Sequence, residues 1–308
     1  MRLLERLRLL RRPRPGLVFA FGGGGARGLA HLGVLEVIEE LALPVNGIAG
    51  TSAGAVIGAM WLVHGGAAAA KIRWNELIAS GLVPSSLPDI RLAEGVSSRD
   101  NLLLQFARTL RRGAVVALAL SRASLITRAD LQKAIDFLVP DIRIEDLPVP
   151  FMALATDFDT GAPVAIRRGP LRAALAASSS VPAAVPPYRI GPRTLLDGGV
   201  VVDLPVQQAR ELQAGPVVAV DVGDDVPPAS ADRLTMPQAM LRAGVMTHQV
   251  LRQFLARDAD LVLRPAVAGI HWSEFGRGEA ARQAGVEVAR RHQHALQRLA
   301  RGGRRRVR

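Results

Sequence analysis

Between Glu40 and Lys71 the chain runs through thirty residues without one Asp, Glu, Lys or Arg. A stretch that long and uncharged has to be buried, in protein or in lipid. Pro44, Asn46, Gly47, Gly50, Thr51, Ser52 and Gly54 interrupt it, and a membrane span needs about 20 mainly apolar residues in succession. It therefore reads as protein core: a strand through Gly47-Ile48-Ala49, a sharp turn at Gly50-Thr51-Ser52-Ala53-Gly54, and a buried helix from Ala55 through Leu62. A serine at such a turn is pushed outward, with its hydroxyl at the helix N-terminus, where the dipole favours negative charge on the oxygen. The glycines at 50 and 54 let the backbone bend without a clash. This is the layout of a hydrolytic nucleophile, and Ser52 is the candidate. G-x-S-x-G alone arises often by chance in a chain with 30 glycines; its strand–turn–helix setting is what gives it weight.

Composition narrows the class. At 308 residues with 49% apolar and only 4% aromatic side chains, the core is built from Ala, Val and Leu, which suits helices packed on a parallel sheet. The absence of cysteine excludes disulfides, thiolate metal sites and a cysteine nucleophile. Of the net charge of +12, residues 1–14 supply +5 and residues 298–308 supply +6. The body is close to neutral, so no basic nucleic-acid groove is expected across it. Basic ends of this kind are either solvated tails or arms that touch an anionic surface, RNA or, peripherally, an anionic membrane. No apolar stretch of signal-peptide length precedes the glycines at 22–25, so neither a cleaved signal nor a transmembrane helix is expected, and the expected location is cytoplasmic.

Along the chain, Leu17 to Phe21 reads as a buried strand, Gly22 to Gly25 as a loop, and Arg27 to Leu41 as a helix leading through Pro44 into the second strand, a βαβ unit. The region 81–130 reads as a helical insertion, with a helix over 99–112 and a second one opened by a capping box at Thr127-x-x-Asp130 and running to Leu138. Further strands are expected at 151–156, 163–167, 217–221 and 261–263, the first two joined through Thr160-Gly161. Helices are expected at 170–177, 234–257 and 277–299. The organisation expected is a basic segment at 1–15, a catalytic unit at 16–210, strands and helices at 211–297 that complete the same domain, and a basic tail at 298–308.

Acyl transfer requires a nucleophile, a base and donors for the oxyanion. The amide of Ala53, just after Ser52, is the natural first donor. The run Gly22-Gly23-Gly24-Gly25 is the second source, with Arg27 adding charge and bracing the loop. The same glycines, as Gly23-x-Gly25-x-x-Gly28, match a dinucleotide fingerprint, but that motif expects an acidic residue at the end of the second strand, where this chain has Gly50-Thr51-Ser52. The six histidines (His31, His64, His248, His271, His292 and His294) sit in no catalytic motif. His31, one turn beyond Arg27, reads as a packed or partly exposed helix residue. Asp197, in Leu195-Leu196-Asp197-Gly198-Gly199, is better placed as a base: an apolar pocket raises a carboxylate's proton affinity. Asp157, Asp159 and Asp221 read as turn and loop residues. Ser178 to Ser180 read as helix-end caps or channel lining, and 102–104 and 115–120 as core or an acyl-chain channel.

Taken together, these motifs resemble those of the patatin-like phospholipases. The resemblance rests on Gly23-Gly24-Gly25-Ala26-Arg27-Gly28, on Gly50 to Gly54, and on Asp197-Gly198-Gly199, in that order. It is supported by Gly28 to Leu35, by Ala155-Thr156-Asp157 with Thr160-Gly161, and by Ala177 to Pro182, and it spans about residues 16–210. It implies an α/β three-layer sandwich around a mainly parallel sheet. It also implies a Ser52–Asp197 dyad without histidine, metal or cofactor, and an oxyanion held by Gly24 and Gly25 with Gly23 or Ala53 assisting. The substrate it implies is a fatty-acyl ester of a phospholipid or lysophospholipid. Two alternatives stand beside it: a small-ester or thioester hydrolase, and a lipid-binding regulatory protein with a dormant site. Asp203 departs from the pattern, in which an Asn often follows the Asp-Gly-Gly motif; it is expected either to change the charge at the site or to form a turn.

Overall fold

The computed structural model describes residues 16–83, 126–223 and 236–302. The segments 99–112, 102–104 and 115–120, residues 1–14 and residues 303–308 lie outside the described residues.

The first strand, β1 (Leu17–Phe21), is buried along its whole length. Alternate side chains face opposite ways: Leu17, Phe19 and Phe21 enter the main core, and Val18 and Ala20 enter a second cluster across the sheet. A strand buried on both faces belongs to the centre of a helix-covered sheet. A 3-10 turn (Gly25–Gly28) leads into α1 (Leu29–Glu40), then β2 (Val45–Thr51), α2 (Ala53–His64) and α3 (Ala67–Ala79). The uncharged run is thus dispersed over the end of one helix, a strand and two helices of the core. Among the described residues no single helix is long and apolar enough to cross a membrane.

Helix α4 (Arg128–Leu138) opens on its expected cap, with the Asp130 amide donating to Thr127 Oγ1 at 3.1 Å. Strands β3 (Phe151–Asp157) and β4 (Pro163–Ile166) form the expected hairpin, its turn held by Asp157 Oδ1, which accepts from the amides of Asp159 and Thr160. There follow α5 (Leu171–Ser178), β5 (Tyr188–Ile190), β6 (Arg193–Asp197), α6 (Val206–Leu212), β7 (Val217–Val220), α7 (Met236–Leu255), β8 (Leu261–Leu263), α8 (Gly278–Arg291) and α9 (Gln293–Ala300). The helix expected over 277–299 is broken at His292 (φ −103°, ψ 10°), whose ring faces the Val288 carbonyl. Strand β5 was not anticipated, since three residues with Arg189 exposed at the centre carry no hydrophobic period.

The sheet runs β5-β6-β3-β2-β1-β7-β8, with β4 attached to β3. Strands β3, β2, β1, β7 and β8 are parallel neighbours; β4, β5 and β6 join antiparallel at one end. Helices α1, α2 and α8 contribute to the core on one face and α6 to the cluster on the other. This is the mainly parallel, three-layer α/β architecture expected.

One feature of β3 positions the site. Its residues Ala153 and Leu154 pair with β2 and β4 at once, so those strands lie on opposite edges. Ala155 and Thr156 pair with β4 and β6 at once, so β6 shares the edge of β2. Along that edge Thr51 pairs with Leu154 and Asp197 with the next residue, Ala155. Strand β2 therefore ends where β6 ends, and Ser52 emerges beside Asp197.

Helix α1 is locked against α8 through Gly33 and Gly285. A methyl group on Gly33 would strike the Arg282 carbonyl and lie 2.8 Å from the Val286 nitrogen, and one on Gly285 would strike the Ala30 carbonyl. Overpacking of this kind costs about 1–3 kcal/mol. Gly33→Ala and Gly285→Ala should each lower the urea midpoint accordingly. Gly244→Ala, on α7 where a methyl group meets nothing within 4 Å, should leave it unchanged or raise it slightly.

Candidate active site

Ser52 occupies the turn between β2 and α2 with φ 52° and ψ −123°. A left-handed φ at a non-glycine residue costs about 1–3 kcal/mol and persists only where the surroundings enforce it. The enforcement is visible. The Ser52 amide donates to Ser178 Oγ at 2.9 Å, and Thr51 Oγ1 donates to the Val202 carbonyl at 2.8 Å. Gly54 lies against the carbonyls of Phe21 and Gly22, Gly50 against the Ala55 backbone, and Gly28 against Ala53 Cβ. The glycine loop and the serine turn thus press together backbone to backbone, and a side chain at Gly54 would force them apart.

Asp197 ends β6 and is 4% exposed. Its amide donates to the Ser180 carbonyl at 2.9 Å, its carbonyl accepts from Thr156 Oγ1 at 3.0 Å, and Gly198 packs on the Leu154 carbonyl. The carboxylate Oδ1 accepts from the Gly199 amide at 2.7 Å, while Oδ2 is buried without a hydrogen bond. The fold brings Ser52 and Asp197 together: burial pushes the carboxyl's pKa up to about 7, and the facing Ser52 side chain and the Gly199 amide pull it partly back.

The glycine loop divides into two parts. The Gly23 amide already donates to the Asp203 carbonyl at 3.0 Å, so Gly23 is a strut and not the free donor anticipated. No acceptor among the described residues takes the amides of Gly24, Gly25 or Ala53. Arg27, 7% exposed, donates through Nε and through its own amide to the Gly24 carbonyl, bracing the loop as expected. His31 is fully buried, stacks on Phe21, and faces the Gly22 carbonyl with Nε2 at 2.8 Å. Burial lowers its pKa to about 4, so the ring is neutral and Nε2–H is the donor.

Ser52, Asp197 and Gly23 to Gly25 line a cavity of about 760 Å³, with Asp203, His248 and Arg252 also in its wall. Val56, Ile57, Trp74, Leu77, Ile135 and Leu138 form its apolar wall. A mostly apolar cavity with a few polar groups is the form of a site for a largely apolar ligand. The dinucleotide alternative lacks its acidic ribose partner: β2 ends in Thr51, and Glu39 is engaged by the Trp61 indole and, at 2.9 Å, the Ala67 amide.

A model of the patatin-like phospholipase family matches residues 19–210. The chain belongs to this family. Over 219 residues it is 32% identical to an uncharacterized NTE family protein of Mycobacterium tuberculosis, covering 70% of this chain and 51% of that one. Over 213 residues it is 30% identical to human patatin-like phospholipase domain-containing protein 6, covering 67% of this chain and 13% of that one. The chain thus spans about half the length, or less, of these curated relatives. Among solved structures, VipD from Legionella pneumophila aligns with a TM-score of 0.43 at 12% identity over 91% of this chain and 67% of that one.

Several residues of this patatin-like site hold parts that tertiary contact alone decides. The run 178–180 does end a helix and line the cavity as expected, with Ser179 at the helix C-cap and in the cavity wall and Ser180 Oγ donating to the Ala176 carbonyl, but Ser178 also holds the serine turn, and the Ser180 carbonyl holds Asp197. The only signal was the run of three serines. His248, on α7, faces the Gly199 carbonyl with Nε2 at 2.5 Å, and nothing in its sequence surroundings marked it. Asp203 is buried. Its Oδ1 lies 3.3 Å from where a methyl group on Gly199 would stand, and its Oδ2 lies 3.8 Å from Arg252 Nε. Arg252 also donates to Asp221 Oδ1 at 2.9 Å. Asp203 thus changes the charge at the site and is no mere turn residue. Burial raises its pKa, with His248 and Arg252 opposing, and its charge adds to the upward pressure on Asp197.

A carboxyl whose folded pKa exceeds its unfolded value contributes stability that is full below about pH 4 and lost as pH rises through the folded pKa, here about 7. Asp197→Asn removes that loss. The variant should be progressively more stable than the wild type between pH 5 and pH 8, by the order of a few kcal/mol at the upper end, and melt correspondingly higher. Equal melting temperatures at pH 8 would contradict the burial of an ionised carboxylate here.

Proposed function

We propose that this chain is a serine acyl hydrolase that cleaves fatty-acyl esters of phospholipids or lysophospholipids through a Ser52–Asp197 dyad. The observation that carries the reading is the strained Ser52 turn, whose side chain faces the Asp197 carboxyl, with Asp197 Oδ2 buried and taking no hydrogen bond among the described residues. The apolar chamber beyond them supports a fatty-acyl substrate.

In this reading Ser52 Oγ attacks the ester carbonyl carbon while its proton passes to Asp197. The carbonyl oxygen takes the charge and rests on the open amides of Gly24, Gly25 and Ala53, with the α2 dipole behind it. Each such donor is worth ~3 kcal/mol of barrier in acyl-transfer enzymes. Collapse breaks the ester C–O bond, and Asp197 returns the proton to the departing alcohol. Water then attacks the acyl-enzyme, giving one proton to Asp197 and the hydroxyl to the acyl carbon, and the second collapse releases the fatty acid and restores Ser52. A carboxylate with a pKa near 7 is a far stronger base than an ordinary aspartate, and near neutral pH it both accepts and returns a proton. Arg27 supports the loop and His31 fixes its root.

A fluorophosphonate should label the wild type and fail to label Ser52→Ala, and labelling that persists in the variant would overturn the assignment. Asp197→Asn should lower kcat on phospholipid by about 10²–10⁴-fold. For the wild type, log kcat/KM should rise with unit slope with increasing pH and level off near pH 7, where Asp197 becomes ionised. Turnover of short-chain esters but not of phospholipid or lysophospholipid vesicles would remove the lipid substrate from the proposal.

A further inference from the structure

Four peptide units link Gly22 to Ala26, and the structure grips three of them. The first, Gly22–Gly23, is held at both ends: its carbonyl accepts from His31 Nε2–H at 2.8 Å, and its amide donates to the Asp203 carbonyl at 3.0 Å. The third, Gly24–Gly25, is held at its oxygen, which accepts from the Arg27 amide at 3.2 Å. A trans peptide unit is planar, so its N–H points opposite to its C=O. With the Gly24 oxygen turned to Arg27, the Gly25 N–H is turned the other way. The fourth, Gly25–Ala26, is held at its amide, which donates to the Trp272 carbonyl at 2.7 Å. The joint between the third and fourth units is the Gly25 Cα, at φ 56°, a value that glycine adopts without strain and leaves as readily. A joint so free keeps one direction only while the planes on both sides of it are gripped.

We propose that Trp272 is a positioning residue of the site: its main-chain carbonyl, fixed by the loop between β8 and α8, aims the Gly25 N–H at the oxygen of the reacting carbonyl. The proposal rests on the serine-hydrolase reading above and gives part of the site to residues outside the span 19–210 that the family model matches. The contact is backbone on backbone. A methyl group on Gly25 would strike the Trp272 carbonyl and lie 3.3 Å from its Cβ. The loop behind that carbonyl is tied at several points. The His271 amide donates to Glu274 Oε2 at 2.7 Å, and Ser273 Oγ, on a side chain 2% exposed, lies 2.7 Å from His271 Nδ1. Arg277 donates to the Gly269 carbonyl at 2.6 Å. The Phe275 ring sits against Trp74, with 6.2 Å between ring centres, and both line the cavity with Trp272. The loop therefore joins the glycine turn to the cavity wall.

Donors for an oxyanion are effective because they are aimed before the charge appears. A misplacement of about 1 Å costs on the order of 10²-fold in rate. Loosening the Trp272 clasp therefore slows the chemistry while the cavity continues to bind its ligand.

The test is the double variant Ser273→Ala/Glu274→Ala, which cuts the hydrogen bonds on either side of Trp272 and changes no residue of the cavity wall. Two ligands read it. A long-chain trifluoromethyl ketone accepts Ser52 Oγ at its carbonyl carbon while the serine proton passes to Asp197 and the carbonyl oxygen becomes an oxyanion. The corresponding long-chain alcohol fills the cavity and forms no oxyanion. The wild type should bind the ketone far more tightly than the alcohol. The double variant should lose about tenfold or more in ketone affinity and in kcat on a long-chain ester, with KM and alcohol affinity within about twofold. Ser273→Ala and Glu274→Ala singly should show the same pattern to a smaller degree. Glu274→Gln, which keeps an acceptor for the His271 amide, should stay within about twofold of the wild type throughout. Unchanged kcat and ketone affinity in the double variant, whatever its urea midpoint, overturn the role of Trp272 and leave the hydrolase reading intact. Equal losses of ketone and alcohol binding also overturn it, because they mark a general loosening of the cavity. A loss in Glu274→Gln as large as in Glu274→Ala overturns it too, by assigning the effect to the carboxylate charge. A wild type that binds the ketone no better than the alcohol and releases no fatty acid removes the hydrolase reading itself, and the positioning role with it.

Discussion

The structure depends on the way two strands divide one edge of β3. Strand β2 occupies it up to Leu154, and β6 takes over from Ala155 with the opposite polarity. Two chain ends are thereby brought tip to tip, from positions 145 residues apart in sequence, and the residues at those tips are a serine and an aspartate. Pairing by β2 alone would leave the β3 edge open beyond Leu154, and a wholly parallel sheet would carry the aspartate's strand away from the serine turn. The antiparallel end of an otherwise parallel sheet is therefore what assembles the site, and the short strand β5 anchors it by pairing with β6.

The surroundings hold this meeting point under electrostatic tension. Asp197 and Asp203 are both buried beside the same Gly198-Gly199 turn; Asp203 makes ionisation of Asp197 harder, and Asp221 does the same to Asp203. Arg252 and His248 relieve Asp203 but do not bond to Asp197, which is left with one backbone donor and the Ser52 side chain. A network that satisfied Asp197 fully would give a more stable protein and, in the proposed mechanism, a weaker base, the trade between stability and activity seen at many sites. Ser178 and Ser180 hold the two partners from one short segment, so a shift of that segment moves both.

Much of this was legible in the residues. The uncharged run from 41 to 70 announced a buried strand and helix, and the capping pattern at Thr127 and the turn at Asp157–Gly161 fell where their hydrogen bonds form. The glycine pattern and the Asp-Gly-Gly turn identified the loops. What was hidden came from tertiary contact. Nothing local distinguishes Gly23 from Gly24, yet the Asp203 carbonyl engages one amide and not the other. Ser178 is one of three consecutive serines, and only the fold decides which of them meets the Ser52 amide. Strand β5 carries no period to read, and the break at His292 interrupts a pattern that periodicity alone extends without pause.

The neutral state of His31 has a consequence for how acid acts on the molecule. Its imidazole takes up a second proton only near pH 4, well below the range in which Asp197 changes charge. The post beneath the Gly22 carbonyl therefore keeps its form while the carboxylate switches. Mild acidification therefore protonates Asp197, the base of the proposed mechanism, while the imidazole beneath the glycine loop keeps its charge state.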